Sequence, residues 1–163
     1  MIGTVLKSIV SLLQAAGIDA MLQYPMDVLN KKRGPVVCVA VKNGTRSGSG
    51  MGDYLGVREE NGAVLEVYGY RAELTVSLDI FVPWGENSVS AVMQCFAAVS
   101  DALYAAPSGL KLQKIHCGTA KPDHDTEMLK CPVELDCIAV LVCERNTESG
   151  EFTDFVLKGV LQA

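Results

Sequence analysis

Apolar and polar residues alternate over a long stretch in the middle of the chain, AVLEVYGYRAELTVSLDIFVP, at residues 63–83. The apolar set comprises Ala72, Leu74, Val76, Leu78, Ile80 and Val82, and the polar set comprises Arg71, Glu73, Thr75, Ser77 and Asp79. A period of two places these sets on opposite faces of a β-strand. The stretch therefore predicts a half-buried antiparallel strand, with its polar face in water or against a neighbouring subunit.

The residues before this strand predict its partner. Residues 54–60, YLGVREE, look extended, and Asn61-Gly62 is a preferred two-residue hairpin turn. We therefore expect residues 54–82 to form a hairpin or a pair of long strands.

Two other segments have helical periodicity. Residues 2–13 carry one apolar stripe that ends before Gly17, and a second stripe comprises Val89, Val92, Met93, Phe96, Val99, Ser100 and Leu103. Further strands are predicted at residues 17–25, 36–42, 110–118, 127–143 and 152–161, the second buried on both faces and the fourth at a sheet edge near Pro132. This order predicts a single α+β domain spanning residues 1–163, a mostly antiparallel β-sheet packed by two α-helices on one face.

The charge and hydropathy pattern argue against two classes of partner. The net charge is −5, whereas a nucleic-acid binder clusters lysine and arginine to neutralise phosphates. No apolar run reaches the roughly 18–20 residues that a membrane-spanning helix needs. The first residues also lack the basic region of a signal peptide. We therefore expect a soluble, intracellular protein with no specific nucleic-acid binding and no membrane partner.

Residues 44–56, GTRSGSGMGDYLG, have the composition of a phosphate-binding loop but not its pattern. A Walker loop needs a lysine, which is missing here, and a dinucleotide loop needs a third glycine where Asp53 stands. The segment that follows looks extended, although phosphate loops open a helix. We expect a flexible loop over residues 44–56, no cofactor, and contact with another protein rather than a nucleotide.

The six cysteines predict buried thiols rather than a metal or catalytic site; they are Cys38, Cys95, Cys117, Cys131, Cys137 and Cys143. The last three are six residues apart, which places them on one apolar face of a strand, where free cysteine is a small buried hydrophobe. His116, Cys117, His124 and Cys131 lack zinc-ligand spacing, so we expect no metal. No residue has the surroundings of a catalytic nucleophile. A small thiol-dependent enzyme or redox protein using Cys117 or the row from Cys131 to Cys143 remains the alternative from another class.

Several segments together resemble a known family; they are GPVVCVAVKNGTRSGSGMGDYLG, YGYRAELTVSLDIFVP, GLKLQKIHCG, CPVELDCIAVLVCE and GEFTDFVLKG. They look like small proteins encoded in Firmicutes prophages among the genes for head completion and contractile tails. The order of helices and strands is similar to the tail terminator and tail-completion family.

The resemblance implies a non-catalytic structural protein that forms a ring of about six subunits. The ring caps the tail tube and joins it to the head connector, first in the bacterial cytoplasm and then in the virion neck. The implied partners are copies of the chain, tail tube and sheath proteins, and head-connector proteins. A head-tail adaptor or stopper is the alternative within this class. The loop at residues 44–56 is the expected contact segment, with Arg46, Met51, Asp53 and Tyr54 as its distinctive residues.

Overall fold

The computed structural model describes residues 2–23, 26–29, 31–48, 50, 53–60, 62–105 and 110–143. The elements are α1 (Ile2–Ala15), β1 (Ala20–Leu22), α2 (Met26–Leu29), β2 (Val36–Gly48), β3 (Tyr54–Glu60), β4 (Ala63–Pro83), α3 (Ser88–Tyr104), β5 (Leu110–Cys117), β6 (Lys121–Asp123), β7 (Met128–Cys131) and β8 (Val133–Cys143). The chain combines a mostly antiparallel sheet with two longer helices, which confirms the predicted α+β class. The strand predicted at residues 152–161 lies outside the described residues.

The strand β4 organises the sheet because its 21 residues offer two long edges to several partners. Along one edge, β2 and β3 run antiparallel to it, opposite residues 70–81 and 63–68 respectively. Along the other edge, β8 and β7 lie opposite residues 68–77 and 80–83. The strand β1 joins β2 in parallel, β5 pairs with β8, and β6 pairs with β7. Of the two expected arrangements for residues 54–82, a hairpin or a pair of long strands, the structure has the hairpin, with β3 antiparallel to β4.

The alternation in β4 separates two clusters of buried residues on opposite faces of the sheet. Its apolar set, from Ala72 to Val82, is buried as predicted. These residues share a cluster with residues of both longer helices: Val5, Ile9 and Leu13 of α1, and Val92, Val99 and Leu103 of α3. A second cluster joins Leu29 of α2 to Val36, Cys38 and Phe81. The helices α1 and α3 therefore pack on one face, and the single turn α2 packs on the other.

The strand at residues 36–42 is longer than predicted, and the loop at residues 44–56 is correspondingly shorter. The first four residues of β2 are buried, as expected for a strand covered on both faces, but β2 continues as an exposed strand to Gly48. Residues 54–56 belong to β3. Only residues 49–53 separate the two strands, because the long β4 supplies hydrogen-bonding partners to both.

Three details of the predicted pattern are wrong, each for a tertiary reason. In α3, Val89 and Met93 of the predicted stripe are exposed, and Cys95 and Ala102 are buried, because contacts with the sheet select a face that overlaps the predicted stripe without coinciding with it. In β5, strict alternation would place Lys114 on the same side as Leu110 and Leu112, but an irregular register after Leu112 places Ile115 on that side instead. The segment at residues 127–143 is divided into β7 and β8, and β7 lies between β4 and β6 rather than at an edge.

One residue of the polar set of β4 is buried rather than exposed as predicted. Asp79 is only 5% exposed, its carboxylate lies 2.9 Å from the Lys130 Nζ, and it accepts a 2.8 Å hydrogen bond from the Ser77 hydroxyl. Phe81 lies beside the same ammonium group, with its ring centroid 5.5 Å away. A buried carboxylate needs such partners, since transfer from water is costly without them.

We expect Lys130→Met to destabilise the fold by about 1–3 kcal/mol, because the buried carboxylate of Asp79 loses its cation. The matched control is Lys42→Met, which removes the cation of the exposed pair of Lys42 with Glu134 and should cost less than about 1 kcal/mol. Urea unfolding of the two variants measures the difference in the free energy of unfolding. Equal losses in the free energy of unfolding would show that the burial of Asp79 does not strengthen its ion pair with Lys130.

Among the residues that the structure describes, no helix is both long enough and apolar enough to cross a membrane.

Candidate protein-contact surface

At one end of β4, the described residues form a two-stranded arm that extends from the sheet. We define the hairpin arm as β3 together with residues 63–68 of β4. Among the described residues, residues 63–67 of β4 pair with β3 alone, since the described pairing of β8 with β4 stops at Tyr68. A hairpin of two strands is at best marginally stable in water without a further strand or a packed face. The arm therefore depends on its root in the sheet and on whatever covers its faces.

The root of the arm is built around Gly69. A Cβ added there would lie 2.4 Å from the carbonyl oxygen of Leu141 and 2.6 Å from the Cδ1 of Leu55. Such distances are shorter than a Cβ tolerates, so the close approach of β8 and of the Leu55 side chain requires glycine. Leu55 belongs to the arm and Leu141 to the sheet. Gly69 is thus the point where the arm joins the rest of the fold.

Three tyrosine side chains lie near the junction between the hairpin arm and the sheet. Tyr68 and Tyr54 make an edge-to-face contact with ring centroids 5.8 Å apart, and the Tyr68 hydroxyl donates a 2.5 Å hydrogen bond to Glu66. The buried Tyr70 has the guanidinium of Arg46 over its ring, 3.9 Å from the centroid. The first two contacts join residues within the arm, and the third joins β2 to β4 directly beyond it.

The structure brings two of the predicted contact residues together along one aromatic row. Arg46 in β2 is exposed and stacks on Tyr70, and Tyr54 in β3 is 38% exposed and contacts Tyr68. Asp53 has a different local role. Its φ of 68° and the 2.8 Å hydrogen bond from its N–H to the carbonyl of Gly50 make it a turn residue between β2 and β3. Met51 lies outside the described residues.

The arm exposes apolar side chains that the sequence analysis did not single out. Val57 is 62% exposed and Val64 is 70% exposed. The pairs Val57 with Glu66 and Glu59 with Val64 place these four residues on the same face, together with Tyr68. We call this set the arm face. In the sequence, two features indicate the arm: the Asn-Gly turn motif at residues 61–62 and the glycine between two tyrosines in the strand that follows.

The arm face continues the core side of β4. Residues 64, 66 and 68 have the same parity as Tyr70 and Ala72, which are buried in the main cluster. Along the sheet this side is covered by α1 and α3, whereas on the arm its two valines are exposed. The row that is buried along the rest of β4 therefore continues on the arm as two exposed valines beside two glutamates.

The rest of the described chain contains no candidate metal site. Within it, no group of three or more His, Cys, Asp and Glu residues is arranged to hold a metal ion. Burial raises the pKa of Cys95 and of Cys137 to about 11, so neither thiol is ionised at neutral pH. An open cavity of about 300 Å³ lies between α3 and β5, but Lys114 is the one charged residue among its described lining residues. Nothing in that cavity pairs a nucleophile with a base.

A scan against protein-family models finds no match for this chain, and no curated protein sequence is significantly similar to it. The function therefore has to be inferred from the geometry of its own residues.

Proposed function

We propose that the protein is a structural subunit of phage assembly, a tail terminator that acts as a ring of about six copies. The ring would cap the tail tube and join it to the head connector, in the host cytoplasm during assembly and then in the virion neck. The observation that carries the proposal is the hairpin arm with its exposed arm face. An exposed hairpin of this kind can bind the neighbouring subunit in a ring.

The energetics of the arm favour contact with another protein chain. A two-stranded ribbon gains stability when a partner covers one of its faces. Covering Val57 and Val64 would contribute roughly 1–2 kcal/mol for each side chain. Glu59 and Glu66 flank these valines and give the arm face an acidic character, so the complementary surface is apolar with basic residues at its rim. A second copy of the chain is the occupant that a closed ring requires.

The charge of the chain is compatible with a ring through which DNA passes. A net charge of −5 disfavours tight binding to phosphates. The role proposed here is non-catalytic, which agrees with the scarcity of ionisable groups in the cavity between α3 and β5. A head-tail adaptor or stopper is the second candidate, because the same arm would serve a subunit of either ring.

We expect the double variant Val57→Lys, Val64→Lys to remain folded but to lose self-association. Each new lysine lies opposite a glutamate across the hairpin, Glu66 and Glu59 respectively, so the arm keeps favourable cross-strand pairs. Charges on the arm face would have to be buried in the interface, which costs several kcal/mol, whereas in the isolated subunit both positions are exposed. The matched control is Val89→Lys, Met93→Lys on α3, since those side chains are 64% and 58% exposed. Light scattering and negative-stain images should show rings for the wild type and the control, and monomers for the arm variant.

A strict monomer for the wild-type protein at high concentration would contradict assembly in the absence of the tail tube. The role itself is tested on particles assembled without the protein. Overlong tails are the result expected for a missing terminator, and tails of normal length without heads would favour the adaptor instead. Complete particles of normal length would overturn both roles. Supplying the α3 control to particles that lack the protein should restore normal assembly, and supplying the arm variant should not.

A further inference from the structure

Two cysteine side chains meet where β5 ends and β7 joins β8. The sulfur atoms of Cys117 and Cys131 are 3.2 Å apart, and they lie 3.6 and 3.4 Å from the carbonyl oxygen of Gly118. Sulfur atoms in a disulfide are about 2.05 Å apart, so a shift of roughly 1 Å would bring this pair to bonding distance. Sequence spacing did not reveal the contact, because the two residues belong to different strands.

The backbone holds the two thiols in this position. Cys117 is paired with Val133, which makes Cys131 its diagonal neighbour on the adjoining strand segment. The N–H of Gly118 donates a 2.8 Å hydrogen bond to the carbonyl of Pro132. A Cβ on Gly118 would lie 2.8 Å from the Cγ of Pro132, so the two segments approach more closely than a larger residue would allow. The sulfur contact is therefore part of a tightly packed junction.

The two thiols differ in their surroundings. Cys117 is partly exposed, whereas Cys131 is 1% exposed and belongs to the main apolar cluster. Burial, together with the hydrogen bond to Cys117, raises the pKa of Cys131 to about 12. An oxidant from solution therefore reaches Cys117 first, and Cys131 is positioned to react with the oxidised form.

We propose that Cys117 and Cys131 form an oxidation site that a hydroperoxide converts to a disulfide. The Cys117 thiolate attacks the terminal oxygen of the peroxide, the O–O bond breaks, and the leaving oxygen takes up a proton, which gives a sulfenic acid on Cys117. The Cys131 thiol gives up its proton as its sulfur attacks the Cys117 sulfur, the S–O bond breaks, and water leaves. With hydrogen peroxide, two thiols and one peroxide yield one disulfide and two waters.

The consequence is a covalent closure around the hairpin of β6 and β7. The bond would link the end of β5 to the end of β7 and enclose the residues between them. Such a closed loop lowers the conformational entropy of the unfolded chain more than that of the folded chain. A reducing cytosol keeps such a pair as thiols, and an oxidising environment outside the cell closes it. The site does not depend on ring formation.

The test treats the folded full-length protein with hydrogen peroxide, alkylates the remaining thiols after denaturation, and maps the peptides by mass spectrometry without reduction. We expect a single disulfide that links the peptides of Cys117 and Cys131, and its loss on treatment with a dithiol reductant. Formation of the bond should raise the Tm by roughly 5 °C. The peptide map requires no variant, so a misfolded mutant cannot obscure the result.

Variants then establish that the two sulfurs act together. Cys117→Ser and Cys131→Ser should each abolish the linked peptide, and Cys95→Ser, at another buried thiol of the same cluster, should leave it unchanged. Oxidation of Cys117 that stops at the sulfenic or sulfinic acid, or a bond to a different cysteine, would overturn the proposal. A disulfide that lowers the Tm would also contradict it, because the fold would then have to distort to form the bond.

Discussion

Replacing Gly69 by valine is expected to lower the free energy of unfolding by about 3 kcal/mol or more. The Cβ of the new residue would lie 2.4 Å from the carbonyl oxygen of Leu141, which belongs to the backbone of β8 and cannot rotate away. Relief requires β4 and β8 to separate at the root of the hairpin arm, at a cost above that of ordinary overpacking. Thermal and urea unfolding measure the loss.

The control for this variant is a glycine with free space around it. Gly34→Ala introduces a Cβ that meets no atom within 4 Å, so its effect on the free energy of unfolding should stay within about 0.5 kcal/mol. We also expect Gly69→Val to impair self-association, since it displaces the root of the arm. A Gly69 variant as stable as the wild type would show that β8 does not approach β4 as closely as described.

Replacing Leu13 by alanine is expected to cost about 2–5 kcal/mol, because it leaves a cavity between α1 and the sheet. The side chain of Leu13 is 0% exposed and lies in the main apolar cluster. Leucine and alanine have similar helix propensities, so the loss reports packing rather than helix formation. Urea unfolding with an unchanged m-value identifies the effect as one on stability.

The matched control is Leu12→Ala, the same change at the next residue of the same helix. Leu12 is only partly buried, so we expect less than half of the cost of Leu13→Ala. Similar costs at the two positions would mean that α1 packs on the sheet with a different face. That result would also undermine the assignment of the main cluster to the side of the sheet under α1 and α3.

The contact surface and the oxidation site occupy different parts of the sheet. The arm face lies beyond the pairing of β8 with β4, whereas Cys117 and Cys131 lie at the other end of β8, beside Val133. Changes at the two cysteines should therefore leave ring formation intact, and changes at the arm valines should leave disulfide formation intact. Substitutions at sites this far apart usually have independent effects.

The main strands could be predicted from the sequence because their pattern is local. The apolar residues of β4 from Ala72 to Val82 alternate without interruption, and Asn61-Gly62 marks the turn, so hairpin and buried face followed directly. The stripe of α3 does not by itself determine which side is buried, since apolar residues occupy more than one side of that helix. Val89 and Met93 could have packed inward as well as Cys95 and Ala102, and only the sheet contacts decide between them.

The candidate sites depended on contacts between residues that are distant in the sequence. Arg46 and Tyr54 were singled out within a predicted loop, yet their positions are defined by Tyr70 and Tyr68, partners across the hairpin. The glycine-rich stretch gave no indication that most of it is strand, because its pairing energy comes from β4 and not from its own propensity. The contact of Cys117 with Cys131 likewise arises from the junction of two strands.

The sequence by itself determined the α+β class, the long hairpin and the buried face of β4, since these follow from the period of apolar residues along the chain. The tertiary structure decided which surfaces remain exposed and which side chains meet. It divided the strand at Pro132, placed Gly69 under Leu55, and left Val57 and Val64 exposed on the arm. Those outcomes depend on how strands of different length align beside β4, and strand alignment is a property of the whole sheet.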